Sequence, residues 1–132
     1  MSSENVELAR QVLEAVTRRD LSRLIAFTDP EVEWQSFFAV GEEGVYRGHD
    51  AMRKYVSDLD DAWEFLRPEV NDGVGVGDVA LLVGRLHYRG KTSGVETESP
   101  AGWMFRFRNG KVLCFRAFRE PEQALGAVGM LE

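Results

Sequence analysis

Trp103-Met104-Phe105-Arg106-Phe107-Arg108-Asn109-Gly110-Lys111-Val112 decides the fold. Aromatic residues at 103, 105 and 107 alternate with Met104, Arg106 and Arg108. A period of two belongs to a strand, whose successive side chains point to opposite faces. Asn109-Gly110 then divides this run from a second apolar run, Lys111 to Arg119. A two-residue hairpin loop needs residues that tolerate positive φ, as asparagine and glycine do, so the two runs predict a long antiparallel hairpin. One face of it is an aromatic wall, and the other carries arginines toward water or a partner. Pro100 and Gly102 interrupt the first arm, Val95 to Arg108, and predict a bulge or edge segment there.

Upstream, Val79 to Tyr88 reads as another long strand, turned by Arg89 to Gly94. Val70 begins a strand, with turns expected at Asn71-Asp72-Gly73 and around Gly75, Gly77 and Asp78. Ser2 or Ser3 can cap a first helix carrying Val6, Ala9, Leu13 and Val16 at helical spacing. Asp20 caps a short second helix with Leu21, Leu24, Ile25 and Phe27. Asp29-Pro30 ends it, since the residue before proline avoids the helical region. Val32 to Phe37 alternates as a strand. Gly48-His49-Asp50 opens a third helix with an apolar face of Met52, Tyr55, Val56, Leu59 and Trp63. Glu120-Pro121-Glu122 starts a short last helix. Two helices, a strand, a helix and then several strands predict an α+β domain over residues 1–132, with helices on one side of an antiparallel sheet.

Composition narrows the function classes. The 132 residues are 44% hydrophobic and 29% charged, which fits one globular domain. A formal net charge of −6 disfavours nucleic acid and anionic membrane surfaces as partners. No apolar run approaches the ~20 residues of a membrane span. The single cysteine, Cys114, excludes an internal disulfide framework and offers no metal cluster. With no visible secretory signal, the cytoplasm is the expected compartment.

The order of elements resembles the nuclear transport factor 2-like superfamily, and within it the SnoaL-like and ketosteroid isomerase-like proteins. The resemblance rests on Arg19-Asp20-Leu21, Asp29-Pro30-Glu31-Val32-Glu33-Trp34, Tyr46-Arg47-Gly48-His49-Asp50-Ala51-Met52, the hairpin, and Glu122-Gln123-Ala124-Leu125. It implies a cone-shaped barrel, in which a curved sheet wraps a pocket closed by the first and third helices. It also implies a small hydrophobic metabolite as ligand, and isomerase, cyclase or hydrolase chemistry without a cofactor. The alternative is a non-catalytic binding protein or dimeric interaction module of the same shape. Ketosteroid isomerases pair an aspartate base with a tyrosine and a protonated aspartate. Those positions fall here on Ser36 or a neighbour, Val12 and Trp103, so that route to proton abstraction is not kept. Nor is the Asp-Arg-Asp relay of epoxide-hydrolase members found.

Alternation in the family-like register turns Trp34, Ser36, Leu82, Gly84, Leu86, Tyr88, Trp103, Phe105, Phe107, Phe115, Ala117 and Arg119 inward. Trp34, Ser36, Tyr88, Trp103, Phe105, Phe115 and Arg119 are therefore the candidate ligand contacts, and Tyr55 and Glu98 the candidate catalytic residues. Tyr55 would donate a hydrogen bond and Glu98 would move a proton; Arg119 would hold an anion near the rim. Each has a plainer reading. The aromatics pack, Glu98 is a solvated strand-edge carboxylate, and Arg119 pairs with Glu120 or Glu122. His49 and His87 read as a helix-start residue and an outward-facing residue. The outer face carries Val83, Met104, Val112, Cys114 and Phe118 beside Arg85, Arg106 and Arg116. An apolar sheet face of this kind predicts an isologous homodimer. The segment 39–46 is a candidate lid.

Overall fold

In the computed structural model, which describes residues 2–36 and 44–120, the hairpin is formed as expected. Strand β5 (Glu96–Arg108) pairs antiparallel with β6 (Lys111–Phe118), and Asn109 and Gly110 both adopt positive φ, at 54° and 75°. The elements before it are α1 (Ser2–Arg18), α2 (Leu21–Phe27), β1 (Thr28–Gln35), β2 (Val45–Arg47), α3 (Gly48–Ala62), β3 (Trp63–Val76) and β4 (Val79–Gly90). The six strands form one curved sheet in the order β2-β1-β6-β5-β4-β3. The face lined by Trp34, Leu82, Leu86, Trp103, Phe105 and Phe115 packs with α1, α2 and α3 into a single core. This is the predicted α+β cone. The sheet is mixed, however: β1 runs parallel to β6, because the chain enters the sheet beside the strand that leaves it last.

Several local expectations are corrected. Asn71-Asp72-Gly73 is no turn, because β3 runs unbroken from Trp63 to Val76 and absorbs the extra residue as a bulge between Val70 and Asp72. The turn is at Gly77-Asp78. Trp63 belongs to β3, where it pairs with Gly90, and not to the third helix. Strand pairing there overrides the helical stripe. At Pro100 and Gly102 the edge segment holds rather than the bulge, since no bulge forms against β4 there. Pairing with β6 ends at Gly102, so Pro100 lies where β5 has no β6 neighbour and a missing N–H costs no ladder bond on that side. The bulge falls instead opposite Arg106 and Phe107, with Leu113 as the extra residue. It shifts the alternation, so Val112, expected outside, is fully buried in the core.

The premise of a bare outer face is corrected too. Val79, Leu81 and Met104 are 5%, 2% and 2% exposed within one chain, with Val83, Cys114 and Phe118 half-buried around them. Burial pushes the Cys114 thiol above its usual value, as expected of an inert cysteine. The expected last helix and residues 39–43 of the candidate lid lie outside the described residues.

One charged lock ties the start of β1 to the tip of the hairpin. Arg108 donates to Asp29 through Nε at 3.2 Å and Nη2 at 2.9 Å, and Nη2 also reaches Glu31 at 2.8 Å. The Asp29 carboxyl is held below its ordinary value of 3.8, first by Arg108 and then by the backbone N–H of Glu31. A depressed carboxylate stabilises the fold above its unfolded pKa and loses that contribution as pH falls through the folded value. Arg108→Gln is therefore expected to melt below the wild type from pH 5 upward, with the gap closing below about pH 4. Melting curves between pH 2 and 7 check this, and a gap that widens in acid would contradict it.

Candidate functional site inside the cone

Tyr55 arrives from the buried stripe of α3, one turn from Met52 and Leu59, and is 6% exposed. Its ring meets Trp34 of β1 at 5.5 Å and Tyr46 of β2 at 5.2 Å. Trp34 stacks on Phe115 at 4.0 Å, and Phe115 meets Phe105 edge-on at 5.0 Å. Pairs at these separations add specific attraction to simple burial. Sheet alternation places these rings on the concave face, so five elements converge on one aromatic interior.

That interior is not completely filled. A cavity of about 30 Å³, measured to the centre of a water-sized sphere, is lined by Leu13, Val16, Tyr55, Leu66, Pro68, Leu86, Trp103, Phe115 and Ala117. The volume is enough for a water or two. Among the described residues no carboxylate and no histidine line it.

Its polar atoms are few. Burial pushes the Tyr55 phenol up to about 12, opposed by the Trp34 indole and by the charge of Arg19. Tyr55 is therefore a neutral hydrogen-bond donor at any ordinary pH and a poor proton acceptor. The Trp34 indole comes close enough to the Tyr55 hydroxyl to lower its phenol, yet Trp34 Nε1 is fully buried with no hydrogen-bond partner among the described residues. Ser99 Oγ is a second buried orphan. Ser99 pairs across strands with Leu86, a core residue, and so shares the concave face.

Two further groups surround this interior, and neither shows a sequence period that would have assigned it a role. Tyr46 donates to Asp58 at 2.6 Å, and Lys54 donates to the same carboxylate at 2.9 Å. Burial chiefly, with Asp58 adding to it, raises the Tyr46 phenol, while the Tyr46 and Lys54 hydrogen bonds hold Asp58 low. Arg19 closes α1 with a positive φ of 53°, where glycine is usual. Its N–H bonds Val16 O at 3.0 Å and the Asp20 N–H bonds Ala15 O at 2.9 Å. The guanidinium then donates to Asp60 at 2.8 Å and to the Trp63 carbonyl at 2.5 Å, joining the α1–α2 corner to the end of α3.

The predicted contacts divide cleanly. Trp34, Trp103, Phe105 and Phe115 are in the core, each at most 3% exposed. Tyr88 is half-buried beside Trp63, edge to face at 5.5 Å. Ser36 is half-buried at the end of β1 and donates its backbone N–H to Gly44 O at 3.2 Å. Arg119 is exposed just beyond β6 and does not line the cavity.

Glu98, the candidate base, is on the convex side. It pairs with His87 across the β4–β5 ladder and forms an ion pair with Arg85 Nε. His87 Nδ1 lies 3.7 Å from Glu98, and His87 Nε2 lies 2.9 Å from Glu69. Pairing with outward-facing His87 fixes the direction that the proline had left open. His49 Nε2 bonds the Thr28 carbonyl at 2.9 Å and serves the fold. Among the described residues no three His, Cys, Asp or Glu side chains are grouped as metal ligands would be. No helix among them is long and apolar enough to cross a membrane.

Comparison with known proteins agrees with this geometry. The sequence profile of the SnoaL-like domain matches residues 9–115. An NTF2-like protein of unknown function from Burkholderia pseudomallei superposes with a TM-score of 0.79 at 21% identity, covering 96% of this chain and 97% of the other. An NTF2-like protein from Burkholderia xenovorans gives 0.76 at 25% identity, covering 96% of each chain. A putative polyketide cyclase from Xanthomonas campestris gives 0.73 at 16% identity, covering 96% of this chain and 98% of the other. No curated protein matches the sequence.

Proposed function

We propose, from the premise that the chain belongs to the SnoaL-like domain family, that its cone interior, which as it stands has room only for a water or two, opens to bind a small, largely apolar molecule carrying one hydrogen-bond acceptor. The observation that carries this reading is the Trp34 indole N–H, a fully buried donor without an acceptor in an otherwise aromatic interior. Leaving such a donor unmet costs roughly 1–3 kcal/mol, which a ligand carbonyl would recover. Tyr55, neutral until about pH 12 and tilted against Trp34, supplies a second donor and itself lines the cavity, as Trp34 does not. Apolar walls with a few convergent polar groups are the usual make-up of a small-molecule site.

With Glu98 on the other face and no carboxylate among the described residues of the cavity lining, binding without proton transfer is the reading favoured. Chemistry, where it occurs, consists of Tyr55 polarising a carbonyl. A panel of aryl ketones and the matching hydrocarbons tests this by thermal melting, since a ligand at a hundred times its Kd adds about 2.7 kcal/mol of stability. The ketones are expected to stabilise more than the hydrocarbons. Tyr55→Phe is expected to cut ketone affinity about fivefold, one hydrogen bond being worth about 1 kcal/mol. Ketones that bind no better than hydrocarbons would contradict the reading.

A homodimer through the convex face stands as a separate proposal, resting on Val83, Cys114 and Phe118 with Arg85, Arg106 and Arg116 beside them. A monomer at micromolar concentration in sedimentation would overturn it.

A further inference from the structure

A second opening lies outside the cone, between α1 and β3. It is a slot of about 250 Å³, measured as before, walled by Arg10, Leu13, Glu14 and Thr17 on one side and Arg67, Pro68 and Val70 on the other. The helix residues are spaced to share one face. β3 is the last strand of the sheet, so among the described residues no further strand closes this side. Leu13 and Pro68 line both the slot and the inner cavity. The two spaces therefore stand on either side of one apolar pair, with Tyr55 at the far wall of the inner one.

The charges of the slot are unevenly spent. Glu14 is engaged by Arg18 at 3.0 Å along the helix. Thr17 Oγ1 donates to the Leu13 carbonyl at 3.0 Å. Arg10 and Arg67 are in no ion pair among the described residues. The Arg67 guanidinium rests over the Phe65 ring, 4.8 Å from its centre. Arg10 lies across β3 at Gly73, with Nη2 3.6 Å from where a Cβ on that glycine would stand. A chain with a net charge of −6 thus holds one unmatched guanidinium group, that of Arg10, at a slot that backs onto its candidate ligand cavity; Arg67, which pairs across the ladder with outward-facing His87, carries its guanidinium on the convex face.

We propose that this slot binds the carboxylate end of an elongated amphiphilic acid whose hydrocarbon part passes between Leu13 and Pro68 toward the cone interior. The proposal rests on the cone being a ligand site and names the ligand's class. Arg10 is the anion contact. Guanidinium groups suit this task because they stay charged and can offer a carboxylate two parallel donors.

Calorimetric titration of the full chain with octanoate and with 1-octanol, at low ionic strength, tests it. Octanoate is expected to bind at least tenfold more tightly than octanol. Arg10→Gln is expected to remove most of that ratio while leaving octanol affinity unchanged, and Arg67→Gln, on the convex face, to leave the ratio as it is. Both positions are exposed, so neither change endangers folding. An octanoate-to-octanol ratio near one, or a ratio unchanged in Arg10→Gln, would overturn the slot while leaving the cone reading intact. Failure of both probes to bind would also overturn the slot; the cone reading then stands or falls on the ketone panel.

Discussion

Gly84→Ala is expected to lower stability by about 3 kcal/mol, the upper end of what overpacking usually costs, and the melting temperature by roughly 10 °C. The reason is a single close approach. A Cβ on Gly84 would stand 1.9 Å from the carbonyl oxygen of Glu69 and 3.1 Å from the backbone N of Asn71. Both neighbours are main chain, so no rotamer change relieves the contact. They sit at the bulge where β3 bends across β4, since Val70 pairs with Gly84 and the register slips before Asp72. The bend wraps the edge strand around the interior and brings Leu66 and Pro68 to the cavity wall. Thermal or urea unfolding measures the loss. Wild-type stability in Gly84→Ala would mean that β3 is free to move away, and that the curvature is not fixed there.

Trp34→Ala is expected to cost more, about 4 kcal/mol, within the range for removing a fully buried large aromatic. Trp34 is 0% exposed. It stands between Phe115, stacked at 4.0 Å, and Tyr55, tilted at 5.5 Å, so its removal takes one ring contact from each and leaves a large void between them. This is a large share of the 5–15 kcal/mol typical of a domain. Trp34→Phe separates packing from function. It keeps a ring and removes the indole N–H, so ketone affinity is expected to fall while most of the stability remains. Equal loss in both variants would reduce Trp34 to a packing residue.

How far the sequence could be read depended on the kind of signal. Asn109-Gly110 has a local conformational requirement, so the hairpin was legible from the turn alone. The aromatic alternation at 103, 105 and 107 was legible because one continuous strand carries it. Val112 was misread because a bulge at Leu113 reverses parity and leaves no mark in composition. The parallel pairing of β1 with β6 joins residues about eighty positions apart, and no local pattern encodes it. Glu98 was a sound candidate by residue type, but its direction depended on the β4–β5 register, which Pro100 obscured. The Tyr46–Asp58 bond and the α1–β3 slot are products of packing between elements. No pattern in the sequence singles out Arg10.

The central claim is that the concave aromatic interior receives a ligand acceptor at the Trp34 indole. The most direct measurement follows the three indole N–H resonances of ¹⁵N-labelled protein during titration with an aryl ketone found to stabilise the fold. The account predicts a large downfield shift at Trp34, the buried indole without a partner, and smaller changes at Trp63 and Trp103. A ketone that saturates the protein while the Trp34 resonance stays in place would contradict it.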